Sequence, residues 1–147
     1  MDDHINSLYE TDALIWTNLQ VELLRAGKFD QLDVENIISE LDGQVKKDKR
    51  ETAHRLIGLM AHLLKYKFQP QRRSSGWIHT ISEHRRSIEG VLQDMPSLRP
   101  AIADYIANGY PKAVKDAARE TRLPLSAFPN DNPFTIEQIL DEDFFPD

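Results

Sequence analysis

Apolar residues recur along most of this chain at intervals of three and four, the period of a helix face and not of a strand. From Tyr9 to Arg25 they fall at Ala13, Trp16, Leu19, Leu23 and Leu24, and Gly27 stands where such a helix would stop. A second series begins behind Asp33, whose carboxylate can cap the amides that follow, and takes in Val34, Ile37, Ile38, Leu41 and Val45. Helical spacing then continues to Phe68. An unbroken helix over that span would be about 52 Å long, against about 38 Å for the diameter of a compact chain of this size. The pattern therefore predicts a bend or break between Gly43 and Arg50, where glycine and the run Lys46-Lys47-Asp48-Lys49-Arg50 interrupt the apolar stripe. An overhanging helix end is the other solution.

Beyond Pro70 the segment Gln71 to Gly76 reads as a basic loop, with Ser75 as the cap of a helix from Trp77 to Gln93 that Pro96 ends. Ser97 opens a fourth helix, with Pro100 tolerable in its first turn. Gly109-Tyr110-Pro111 should kink or divide the chain before the run Ala113, Val114, Ala117, Ala118. Pro124, Pro129 and Pro133 break up the remainder. There Thr135 and Gln138 match a capping box, and Phe128, Phe134, Phe144 and Phe145 are pegs to dock on the helices. No alternating strand pattern is present. The predicted fold class is all-α: a single-domain helical bundle of about four to five main helices over residues 1–147, with a loop-rich C-terminal segment.

The length supports this, because a domain of 147 residues buries roughly 70% of its unfolded surface and needs no disulfide or metal staple. The chain has no Cys, which excludes disulfides, thiolate metal sites and thiol nucleophiles. No basic and apolar leader is visible at the N-terminus, and no apolar run approaches the ~20 residues of a membrane span. A soluble cytoplasmic protein without membrane association is expected.

Charge changes the picture more than composition does. Residues 44–86 hold eleven of the eighteen Lys and Arg and four of the five His, with only Asp48, Glu51 and Glu83 as acids, so their formal charge is 11 − 3 = +8. The other residues carry 7 − 21 = −14. Such asymmetry points to a binding surface.

Within the basic stretch, Glu51, Arg55, Gly58, His62, Lys65 and Gln69 form one polar line, opposite Ala53, Leu56, Ile57, Met60, Leu63 and Leu64. Gly58 would let a ligand or partner approach beside His62 and Lys65; a solvated face or a tight helix crossing is the plainer reading. On the next helix His84 and Arg85 project at the margins of an apolar stripe formed by Trp77, Ile78, Ile81, Ile88, Val91 and Leu92. Both should be half-buried, binding an anion at a cleft or pairing internally. His79, Glu83 and Arg86 point outward.

Lys65, Lys67, Arg72, Arg73, Arg85 and Arg86 interleave with Tyr66, Phe68 and Trp77, a combination that can neutralise phosphates and stack on bases. Helical spacing sends Trp77 to the core, however, and no recognition-helix or zinc-finger signature accompanies the charges. Glu51 and His54 make a Glu-x-x-His pair of the kind found in helical-bundle metalloproteins, without the second pair such a centre needs. Gly-rich phosphate loops and nucleophile elbows are lacking, and no cofactor motif is present.

Several short segments, taken in order, resemble a known family: Tyr9-Glu10-Thr11-Asp12, Leu32-Asp33-Val34-Glu35-Asn36, Ala61-His62-Leu63-Leu64-Lys65, Gln69-Pro70 with Arg72-Arg73-Ser74, and Ser97-Leu98-Arg99-Pro100. Leu123-Pro124, Phe128-Pro129, Pro133-Phe134-Thr135 and Asp143-Phe144-Phe145-Pro146 extend the likeness over nearly the whole chain. The set resembles the bacterial, largely cyanobacterial, domain-of-unknown-function family twenty-nine. That resemblance implies a small helical bacterial protein and carries no established activity. His54 lies outside the pattern.

The sequence thus leads to a non-enzymatic helical-bundle interaction protein with a charge-polarised surface, its partner another protein or a second copy of itself. The binding residues expected are His62, Lys65, Arg72, Arg73, His84, Arg85 and Arg86, with no metal ligands and no cofactor. Two alternatives stand beside it: a nucleic-acid-binding module using the basic region 65–86, and a metal-dependent helical-bundle enzyme drawing on Glu51, His54 or His62.

Overall fold

Asp12 accepts a hydrogen bond from the amide of Ile15 (3.1 Å) and so caps helix α1, Ala13–Arg25. In the computed structural model, which describes residues 8–147, every regular element is helical. After α1 come α2 (Val34–Phe68), α3 (Ser75–Asp94), α4 (Ile102–Thr121) and the short α5 (Ile136–Leu140). Single 3-10 turns lie at Phe29–Gln31, Pro70–Arg72, Pro96–Ala101 and Leu125–Ala127. The fold class is all-α, as the periodicity requires, and none of the helices described is long and apolar enough to cross a membrane.

The chain divides into two compact units, Met1–Lys47 and Asp48–Asp147. In the first, α1 ends as Gly27 was placed to end it. Gly27 adopts φ 70°, its amide bonds to the carbonyl of Leu24 (3.1 Å) and that of Lys28 to Leu23 (2.9 Å), a Schellman closure. The returning turns of α2 are locked to α1 by polar contacts. Trp16 Nε1 donates to Asp33 Oδ2 (2.9 Å), Asn36 Nδ2 donates to the same oxygen (2.7 Å), and the Asp33 amide donates to Gln20 Oε1 (2.9 Å). Among the described residues of this unit, Trp16, Gln20, Leu23 and Asp33 are buried. Leu24, expected on the inner face, is exposed, and Gln20 holds an inner position that hydrophobic periodicity would not give it.

The break predicted in the second helix is absent: α2 runs continuously for 35 residues. Residues 38–47 are all exposed, so no packing contact forces a bend there. Gly43 lies in open space, and the lysines around it are good helix formers.

The second unit holds the hydrophobic core. Leu56, Leu59, Met60, Leu63 and Leu64 of α2 meet Ile81, Ile88 and Leu92 of α3 and Ile102, Ile106, Ala113 and Ala117 of α4. Phe128, Phe134 and Ile139 of the tail close it, as the pegs were expected to. Ser74, one residue earlier than expected, caps α3 by accepting from the Trp77 amide (3.2 Å). Pro96–Ala101 is a 3-10 turn, where the sequence suggested the start of the fourth helix. Pro111 does not divide α4. The two residues before it are held by packing and a hydrogen bond: Gly109 lies close against Ile57, and the hydroxyl of Tyr110 donates to Pro129 O (2.6 Å). The Thr135–Gln138 capping box is formed.

Candidate functional site

The polar line expected on α2 is real within the second unit, and its members have different fates. His62 is half-buried, its Nδ1 lying 3.0 Å from the Gly58 carbonyl one turn earlier. His84 of α3 stands over the same turn: a Cβ on Gly58 would come within 2.9 Å of its Nε2, and the two imidazoles are 6.2 Å apart between centroids. Gly58 therefore gives room to a histidine of the neighbouring helix, which is the tight crossing foreseen as the plainer reading. Burial lowers the pKa of both rings below the ordinary 6.5; for His84 the His62 and Arg55 charges act in the same direction.

Lys65 is buried and donates to Glu120 of α4, Nζ to Oε2 2.9 Å. That hydrogen bond holds the Glu120 carboxyl below its usual range. The ammonium also lies 4.9 Å from the centroid of the Trp77 ring. Trp77 was expected in the core and is half-buried at its edge. Lys65, Gln69, Arg72, Trp77, Glu120, Thr121 and Arg122 line a polar cleft of about 470 Å³. Arg72 enters it from the exposed 3-10 turn after α2, and Arg122 from the end of α4, where it takes the left-handed conformation at φ 61°. Neither the Arg72 nor the Arg122 side chain makes a hydrogen bond or ion pair with the described residues.

Three of the expected binding residues go elsewhere. Arg85 is 2% exposed and was expected half-buried; its guanidinium donates to the carbonyls of Ile139 (2.9 Å), Phe144 (2.7 Å) and Gln138 (3.0 Å), tying down the tail. Arg73 donates to Tyr66 O (2.7 Å) and Pro146 O (3.2 Å) and stacks 4.2 Å over the Tyr66 ring. Arg86 points outward and pairs with Glu83 at 2.7 Å. The structure thus brings Lys65 and Arg72 into one cleft, sets His62 and His84 beside each other at Gly58, and assigns Arg73 and Arg85 to holding the segment from Gln138 to Pro146. Glu120 and Arg122 belong to the cleft and were not foreseen. Their only trace in the sequence is a charged helix end, Glu120-Thr121-Arg122, before Leu123-Pro124.

A second, more open cleft of about 540 Å³ lies between α2 and α4, lined by His54, Ile57, Gly58, Lys112, Lys115, Asp116 and Arg119. Among the described residues no group of three or more His, Asp or Glu is placed to hold a metal ion.

Arranged in this way, the first cleft has net positive charge, with Lys65, Arg72 and Arg122 against Glu120, and a flat aromatic wall. It suits a carboxylate or another anion held by two guanidinium forks. No match is found among curated proteins or among solved structures. The family described as Domain of unknown function DUF29 matches residues 8–145, nearly the full length, and the chain belongs to that family.

Proposed function

We propose that this is a non-enzymatic interaction protein whose second unit docks an acidic segment of a partner protein in the cleft between Arg72 and Arg122. One observation carries the reading. Among the described residues those two guanidinium groups flank the cleft without side-chain partners, while Lys65 in the same cleft is already bonded to Glu120. A bare cation at a cleft rim keeps its hydration until an anion replaces it, and arginine is the residue best suited to bidentate carboxylate capture. The charge balance of the units fits. Residues 48–147 contain 14 Lys and Arg and 14 Asp and Glu, so the excess of cations in 48–86 is balanced by acids elsewhere in the unit.

Trp77 forms a wall of the cleft, so its fluorescence reports occupancy. Titration with a glutamate-rich peptide at low salt should give a saturable change that the double variant R72A/R122A abolishes. No saturable change sinks the proposal. A response to single-stranded DNA and none to the peptide would move the cleft to the nucleic-acid reading.

A further inference from the structure

The open cleft between α2 and α4 holds more cations than its own acid can neutralise. On α4, Lys112, Lys115, Asp116 and Arg119 stand at helical intervals on one face. Asp116 accepts from Arg119, Nη2 to Oδ1 3.1 Å, and so is already engaged. Among the described residues the side chains of Lys112 and Lys115 make no hydrogen bond or ion pair. Both are exposed, as is His54 on the α2 side. Like charges three and four positions apart on a helix repel, and Lys115 has Lys112 one turn before it and Arg119 one turn after. An anion between the two helices would offset that repulsion. The α2 side also offers hydrocarbon. Ile57 is half-buried, with its Cγ1 2.8 Å from where a Cβ on Gly109 would stand, so the approach of α4 fixes it, and Gly58 beside it adds only backbone.

We propose that this cleft binds a small organic phosphomonoester, its phosphate between Lys112 and Lys115 and its apolar body against Ile57. Three observations choose that ligand. First, two ammonium groups without partners match the charge of a phosphomonoester, about −1.5 to −2 near neutral pH, better than the single charge of a carboxylate. Second, the donors are of the fitting kind. A lysine is a compact point charge whose three protons rotate to meet phosphate oxygens, whereas the cleft at Trp77 presents the guanidinium forks that suit a carboxylate. Third, a cleft of about 540 Å³ has the size of a small-molecule site and room for more than the phosphate, and the surface beside the charges is apolar. The two clefts share no residue, so this site stands apart from the docking of an acidic segment.

Isotope-labelled full-length protein titrated with phenyl phosphate should show saturable movement of the Gly58 and Lys115 amide resonances. Inorganic phosphate, which lacks the apolar body, should bind about 10-fold more weakly, and phenol, which lacks the charge, should not bind. The double variant K112Q/K115Q, on exposed positions, should keep the spectrum of a folded protein and lose about 10-fold or more in affinity, while R72A/R122A should bind phenyl phosphate as the original protein does. No saturable movement at about 20 mM phenyl phosphate would overturn the proposal. So would undiminished binding by K112Q/K115Q, or phenol or inorganic phosphate binding as tightly as phenyl phosphate. Movement with a single-stranded oligonucleotide and none with phenyl phosphate would overturn it in favour of a nucleic-acid backbone.

Discussion

Gly58 and His84 are in contact through an absence: the imidazole of His84 occupies the space a side chain on residue 58 would need, with Nε2 2.9 Å from the position of a Cβ. Gly109 has a similar relation to Ile57, whose Cγ1 would stand 2.8 Å from a Cβ there. The two helical glycines should nonetheless answer differently to substitution. The His84 ring is the far end of a half-buried side chain and can swing. For Gly58→Ala the gain in helix propensity, about 1 kcal/mol, should offset most of the displacement. Ile57 Cγ1 is held next to the backbone by β-branching, and Met60 lies behind it, so Gly109→Ala should destabilise by about 1–3 kcal/mol. Urea unfolding of both variants checks this, and equal costs would contradict it.

Arg85 offers a second test. Its guanidinium satisfies three carbonyls of the tail, and a buried acceptor left without a donor costs about 1–3 kcal/mol. Arg85→Met should therefore lower stability by about 3 kcal/mol or more. Arg85→Lys should recover only part of the loss, since an ammonium cannot present the planar fork. Denaturant midpoints of the two variants should fall in that order.

The imidazoles of His62 and His84 give a pH dependence with a definite sign. Their folded-state pKa values lie below 6.5, so the unfolded chain binds more protons in the interval just under 6.5, and stability should rise with pH through that interval. Glu120 acts lower. Its carboxyl is depressed by Lys65, so its contribution is present above the ordinary carboxylate value and is lost as pH falls through the folded one. In thermal melts between roughly pH 5 and 7 the midpoint should rise with pH, and H62N/H84N should remove that rise. A slope unchanged in the double variant would refute the assignment.

At the other end of the cleft, Arg122 is the one residue other than glycine with positive φ among those described. The left-handed conformation strains any side chain that begins with a Cβ, and helix ends favour glycine there. Arg122→Gly should therefore raise stability by about 1 kcal/mol while weakening capture of an acidic peptide. A variant that is more stable and binds as well as the original protein would show that the arginine is not retained for binding.

Much of the architecture was legible because it is local. The Thr135–Gln138 box, the Gly27 stop and the apolar faces of α3 and α4 depend on residues within a few positions of one another. What escaped reading is non-local. Lys65 meets Glu120 across 55 positions, and Arg85 finds its acceptors 53 to 59 positions away, so periodicity could place each on a helix margin without naming its partner. The buried place of Gln20 escaped for a related reason, because it follows from the polar lock at Asp33 and not from hydrophobic rhythm. The break expected in α2 failed on different grounds: the argument from compactness assumed one core, and the helix runs through two units.

The grip of Arg85 on the carbonyls of Gln138, Ile139 and Phe144 has a consequence for biosynthesis. A ribosome releases the chain from its N-terminus, and α3 emerges well before Phe144 is added, so the guanidinium must wait, hydrated, for acceptors made 53 to 59 residues later. Any product cut short before that point would keep a charged group facing an open hydrophobic seam. Copies cut short before Phe144 should thus be marked by their own instability for proteolysis.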